Sequence, residues 1–167
     1  MRVESGAHLT PKEYDMSSKV KVVRAWHDEL YANPPSSVMG ANAAYLSDDF
    51  QNLDQDGNVV MNKEAYSGFN QLIFAAFKDF KAMFSDLREE DGYVIMTFHF
   101  EGTHTDDLDM SAMGLGVIPA SGKKIVWPEQ SAKVTVEGDK IVQIEPYGGS
   151  GGAEDFLVPL GIAPSST

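Results

Sequence analysis

Between residues 17 and 33 the apolar positions Val20, Val23, His27, Leu30 and Tyr31 recur at helical spacing, with Ser17 before them and Asn33-Pro34-Pro35 after them. That spacing and those boundaries predict a first amphipathic helix. A weaker repeat, Val38, Ala41, Tyr45 and Leu46, predicts a short second helix over 37–46 that Ser47-Asp48-Asp49 stops. Phe50 to Leu53 and Asn58 to Met61 flank Asp56-Gly57, the composition of a β-hairpin turn. Asn62 is placed to cap a third helix, and from there to Phe80 the set Tyr66, Phe69, Leu72, Ile73, Ala76, Phe77 and Phe80 fits a single helical stripe. A stripe that apolar has to lie against a large apolar surface.

After Phe80 the period becomes two. Ala82, Phe84 and Asp86 alternate with their neighbours. Val94, Met96, Phe98 and Phe100 then share one face of a strand over 93–105, whose other face carries Tyr93, Ile95, Thr97, His99 and Glu101. Residues 125–136 and 140–147 read as two more strands joined by Gly138-Asp139, completing an antiparallel meander. A long loop, 106–124, separates them from the first long strand. Gly148 to Gly152 reads as a flexible hinge before a short apolar segment, 156–162. Helices first and antiparallel strands after them predict an α+β domain over 17–162, with helices on one side of a curved sheet and a pocket between the layers. Residues 1–16 read as an N-terminal extension and 163–167 as a C-terminal tail.

Composition narrows the partners. With 13 basic and 25 acidic residues in 167, the formal charge is −12, so a nucleic-acid backbone or an anionic membrane would repel most of the surface. The absence of cysteine excludes disulfides, thiol catalysis and cysteine-based metal sites. No uncharged apolar run approaches the ~18 residues of a membrane span, and the reading is of a soluble, cytoplasmic protein.

Several short motifs in this order are distinctive: Phe98-His99-Phe100-Glu101-Gly102-Thr103-His104-Thr105, Ile118-Pro119-Ala120-Ser121-Gly122-Lys123, Glu137-Gly138-Asp139-Lys140-Ile141-Val142 and Leu157-Val158-Pro159-Leu160-Gly161. Together with the helix–helix–hairpin–helix–meander order, they resemble the SnoaL-like polyketide cyclase group of the NTF2-like superfamily. The resemblance implies a cone-shaped α+β barrel with a deep apolar cavity, a homodimer, a hydrophobic small-molecule ligand, and no metal or redox cofactor. It also implies ring closure by aldol condensation, in which a base removes a carbon-bound proton and hydrogen-bond donors stabilise the enolate. In those cyclases a histidine on the penultimate strand and an aspartate on the last strand carry the acid/base work; the matching places here hold Ala132 and Pro146.

The remaining candidates follow from strand and helix parity. His104 continues the inward series of Phe98, Phe100 and Gly102, so it reads either as an acid/base group at the cavity mouth or as a rim histidine bonded to the following loop. Gln130 shares parity with Ala132 and Val134 and could donate to a substrate carbonyl or serve backbone groups. Asn52 matches a polar pocket position in the cyclases and could equally stabilise its turn. Trp26, Tyr66 and Phe69 on the helices, with Phe98 and Phe100 on the strand, read as pocket wall or core. Glu129 and Glu145 point inward only if Pro128 or Pro146 shifts the register. His99 has outward parity, suited to a dimer contact. Met110, Met113, Leu115, Val117 and Ile118 make the 106–124 loop apolar enough to be a lid, or to pack permanently on the sheet.

Two metal motifs fail on chemistry. Asn52, Asp54, Asp56 and Gly57 have the spacing of a calcium loop, but the position needing a bidentate glutamate is Lys63. Asp106, Asp107 and Asp109 lack a histidine at ligand spacing and read as a solvated surface.

Overall fold

The computed structural model describes residues 17–148 and 158–160. Helix α1 (Ser18–Leu30) begins at Ser17, whose hydroxyl accepts from the Val20 amide. It buries Val20, Val23, Trp26 and Leu30. Helix α2 (Ser36–Tyr45) buries only Val38, Ala41 and Asn42, which explains its faint sequence pattern. It runs directly into strand β1 (Leu46–Leu53), which turns at Asp54–Asn58 into β2 (Val59–Asn62). Asn62 caps helix α3 (Lys63–Ala76) by accepting from the Ala65 amide at 2.9 Å.

The predicted third helix is therefore four residues too long. Phe77 leaves the helix with φ −126° and Phe80 closes a short turn onto the Phe77 carbonyl. Both rings stay buried, so the apolar pattern continues although the helix does not. Strands β3 (Lys81–Glu90) and β4 (Tyr93–Thr103) form a long hairpin through Asp91-Gly92, both at positive φ. The loop after β4 contains a small hairpin, β5 (Leu108–Asp109) with β6 (Val117–Ile118).

The strand predicted over 125–136 is two strands, β7 (Lys124–Val126) and β8 (Gln130–Glu137). Both pair with β4, β7 against Glu101–Thr103 and β8 against Val94–Phe98. Between them Pro128 cannot donate to a ladder, while the Trp127 amide bonds to the Phe100 carbonyl at 2.8 Å. Strand β9 (Lys140–Tyr147) pairs antiparallel with β8 and parallel with β1, so the sheet is mixed where a pure meander was expected. Its order is β2-β1-β9-β8-β4-β3 with β7 beside β4.

The curled sheet wraps a core shared with the three helices, an α+β cone. Residues 149–152 of the expected hinge, most of the apolar segment after it and the two predicted termini lie outside the described residues, except that Val158–Leu160 form a 3₁₀ turn with Leu160 against the core. Among the described residues no helix is long and apolar enough to cross a membrane.

Candidate functional site

One cavity of about 160 Å³ lies between α1, α3 and the concave face of the sheet. Trp26, His27, Leu30 and Tyr31 line it from α1, and Tyr66, Phe69, Asn70, Ile73 and Phe74 from α3. The sheet contributes Phe84, Met96, Phe98 and Phe100 on one side and Asn52, Gln130, Ala132, Ile144 and Pro146 on the other. The walls are mostly rings: Phe98 meets Phe100 and Phe80 meets Phe100, each at 5.0 Å between centroids.

Two phenols face this space. Removal from bulk water pushes the Tyr31 hydroxyl well above its ordinary value, and the nearby Tyr66 hydroxyl adds to the shift because two phenolates would repel. Burial pushes Tyr66 up to about 12, against a hydrogen bond from Asn70 that works the other way. At neutral pH both are therefore hydrogen-bond donors. The side-chain amide of Gln130, also in the wall, makes no hydrogen bond within the described residues.

His27 is the imidazole of the cavity wall. Its Nε2 donates to the Ala82 carbonyl at 3.2 Å. Nδ1 lies 3.4 Å from Asp28 Oδ1, an ion pair when the ring is protonated. The ring packs against Phe84 at 4.5 Å and Tyr31 at 4.7 Å. Behind Tyr66 runs a buried amide network. Trp26 Nε1 donates to Asn42 Oδ1 at 2.9 Å, and Asn42 Nδ2 donates to Ser67 Oγ at 3.1 Å and Asn70 Oδ1 at 3.0 Å. Asn42, only 1% exposed, thus ties all three helices together behind the phenol.

The structure brings together seven of the residues singled out from sequence: Trp26, Asn52, Tyr66, Phe69, Phe98, Phe100 and Gln130 all line the cavity. Asn52 also donates to the Ile144 carbonyl at 3.2 Å, tying β1 to β9. His104 is placed elsewhere. Its inward parity is kept and it is only 2% exposed, but it stacks on Phe77 at 4.7 Å and is not among the cavity-lining residues. The cause is Gly102, where a Cβ would come within 3.2 Å of the Phe80 Cα. That close approach lets the end of α3 settle onto β4 and closes the cavity at Phe100, leaving His104 in a packed layer with Phe77.

Of the two displaced-base candidates, Glu129 is not a cavity residue and accepts from Ser85 Oγ at 2.8 Å on an exposed site, whereas Glu145 does line the cavity and accepts there from Gln143 Nε2 at 2.8 Å. Of the two readings of the 106–124 loop, packing is what Leu108 and Met110 show by sitting in the core, and among the described residues none of the loop lines the cavity. The loop is anchored by the Thr105 and Asp106 amides on the Ala76 carbonyl. Asp54 accepts from the Asp56 and Asn58 amides at 2.9 Å, the bonding of a tight turn, which holds its carboxyl below the usual range. Asp106, Asp107 and Asp109 bond to Lys78, Ala120 and Ser111 respectively, and among the described residues no cluster of three metal-ligating side chains occurs.

Sequence reasoning passed over His27, Tyr31, Asn70 and Asn42 as chemistry. The signal was present: His27 and Tyr31, and Tyr66 and Asn70, are polar pairs four residues apart inside otherwise apolar helical stripes.

A cone of this topology with helices closing its concave face is an NTF2-like fold. The SnoaL-like polyketide cyclase family pattern matches residues 21–145, and the chain belongs to that family. Among solved structures it is similar to a protein from Jannaschia sp. CCS1 provisionally described as a SnoaL-like polyketide cyclase, with 16% identity over 83% of this chain and 88% of that one and a TM-score of 0.62. It is also similar to an NTF2-like protein of unknown function from Burkholderia pseudomallei, with 10% identity over 88% and 100% of the two chains and a TM-score of 0.60. A third, from Catenulispora acidiphila with a ketosteroid isomerase-like fold, has 14% identity over 88% and 97% and a TM-score of 0.56. No curated protein matches the chain.

Proposed function

We propose that the protein binds an apolar, carbonyl-bearing small molecule in this cavity and performs cyclase-related acid/base chemistry on it. The observation that carries the reading is the convergence of two neutral phenols, Tyr31 and Tyr66, and the imidazole of His27 on one ring-lined space. The phenols would hold the carbonyl oxygen and stabilise the enolate that forms when an adjacent carbon-bound proton leaves. The His27 imidazole would accept that proton, with Asp28 beside it balancing the charge. Gln130 and Asn52 would orient the substrate oxygen or a second polar group. His104, packed against Phe77, is assigned no contact with substrate in this scheme.

The outer sheet face suits self-association. Met83 and Val126 are exposed there, in register with His99 and Glu101, and pairing of two copies through this face would complete the family assembly. Analytical ultracentrifugation tests that point.

A second reading is a binding module without catalysis. It is favoured by Ala132 and Pro146, which stand in the cavity wall where the cyclases carry their proton-transfer residues. Exchange of the α-protons of a bound ketone for solvent deuterium separates the two: an acid/base site accelerates the exchange, and a binding module leaves it at the solution rate.

A further inference from the structure

We infer that Asn70 is a further ligand-binding residue of the cavity, an amide donor aimed at a ligand oxygen by a one-way hydrogen-bond chain that starts at the Trp26 indole and runs through Asn42. The inference rests on the reading of the cavity as a carbonyl site and adds to it one donor and the residues that position it.

The direction of the chain follows from the chemistry of its first member. An indole N–H can only donate, and Trp26 Nε1 donates to Asn42 Oδ1 at 2.9 Å, both residues being buried. Turning the Asn42 amide over would set its NH2 group against that N–H, donor against donor, so its oxygen is held toward α1 and its nitrogen toward α3. One Asn42 hydrogen goes to Ser67 Oγ at 3.1 Å and the other to Asn70 Oδ1 at 3.0 Å. Ser67 imposes no direction, because a hydroxyl both donates and accepts. Asn70 passes the direction on. With its oxygen turned to Asn42, its NH2 group is the end left to the cavity, whose wall it forms together with Trp26 and Tyr66. Each bond of such a chain polarises the next, which strengthens the donor at its end.

At that end two donors converge. Asn70 donates to the Tyr66 oxygen, which leaves the Tyr66 O–H and the second Asn70 N–H for a ligand. Neighbouring N–H and O–H donors suit a carbonyl oxygen, and suit better still the enolate oxygen it becomes. The bond from Asn42 to Asn70 distinguishes this arrangement from a knot that only joins helices, because it decides which end of a wall residue a ligand meets. Asn70 is thus a binding residue, and Asn42 and the Trp26 N–H position it.

The test uses the full chain labelled with nitrogen-15 and two probes of one shape, acetophenone and α-methylstyrene, which carries a CH2 group in place of the carbonyl oxygen. Binding is followed at the Trp26 indole N–H, since Trp26 lines the cavity and Trp127 does not. Contact with the oxygen is followed at the Asn70 side-chain amide, assigned by its loss in Asn70→Asp. At saturation acetophenone is expected to move one Asn70 amide proton downfield, and α-methylstyrene to leave it in place. Asn70→Asp keeps the acceptor that Asn42 needs and replaces the inward donor with an acceptor. Acetophenone binding should then weaken by at least about tenfold and α-methylstyrene binding by less than about threefold. In Asn42→Ala the Asn70 amide is no longer aimed, and its acetophenone shift should shrink or vanish. Should that variant not fold, Trp26→Phe, which removes the indole N–H that sets the direction, is read at the same amide. Equal weakening of the two probes in Asn70→Asp overturns the Asn70 assignment, as does a parent Asn70 amide that stays still while the Trp26 signal shows acetophenone bound; in both cases the carbonyl-site reading survives. An undiminished Asn70 shift in the Asn42 or Trp26 variant overturns the positioning chain. If acetophenone does not move the Trp26 signal at all, the inference and the reading beneath it fall together.

Discussion

Ala132 and Pro146 stand directly opposite each other in the register of β8 and β9, and both face the cavity. Pro146 lies beyond Asn52↔Ile144, the last pair of β1 with β9, so its missing N–H interrupts no ladder on that side. The two positions are thus small, inert wall. A larger side chain at 132 should enter the cavity rather than the core. Ala132→Leu is expected to leave the unfolding free energy within about 1 kcal/mol of the parent while weakening ketone binding by at least about tenfold. Parallel urea melts and ligand titrations check this, and a large loss of stability with unchanged binding would mean the position is packed core.

The raised phenols predict an alkaline signature. Between the ordinary tyrosine value of about 10 and the Tyr66 value of about 12, the folded chain keeps protons that the unfolded chain has released. Stability from this source is therefore complete below pH ~10 and falls as pH rises above it. The fall should be shallower in Tyr66→Phe, measured by urea unfolding between pH 9 and 11, and absorbance at 295 nm should show one late-ionising phenol fewer.

Asn42 satisfies three groups at once, so its loss strands several buried donors and acceptors. Asn42→Ala is expected to cost about 2–4 kcal/mol and Ser67→Ala about 1 kcal/mol, both read from chemical unfolding. Because Asn70 links this network to Tyr66, the Asn42 variant should also move the late phenol titration, whereas Ser67→Ala should not.

Gly102 sets where the cavity ends. A methyl group there meets backbone at 3.2 Å and the Phe77 Cβ at 3.3 Å. Gly102→Ala is expected to destabilise by about 1–3 kcal/mol through overpacking, and thermal denaturation reads the loss. An unchanged melting temperature would show that α3 is free to lift off β4.

Much of this architecture was legible in the sequence, because burial dictates period. The α1 and α3 stripes, the Asp-Gly turn, the Asn62 cap and the alternation through Phe98 and Phe100 all reflect which side of an element meets the core. What escaped depended on tertiary contact. The end of α3 was hidden because Phe77 and Phe80 remain apolar in a turn. The break at Trp127-Pro128 was hidden because β7 and β8 share one partner strand. The parallel β1–β9 pair joins segments about ninety residues apart, which no local pattern can announce. In the site, parity brought Gln130, Phe98 and Phe100 to the right face and sent His104 to that same face. It could not show that Gly102 would seal the space before His104. His27 was overlooked for the converse reason: an apolar stripe that includes a histidine looks like core until the cavity beside it is seen.

The acid/base account is tested most directly by α-proton exchange. Acetophenone is incubated with the protein in buffered deuterium oxide near neutral pH, and deuterium in its methyl group is followed by NMR. Acceleration over buffer is expected, lowered by about 10²-fold or more in His27→Gln and reduced in the Tyr31→Phe and Tyr66→Phe variants. Exchange at the buffer rate while the Trp26 resonance shows the ketone bound would contradict the account and leave a binding module.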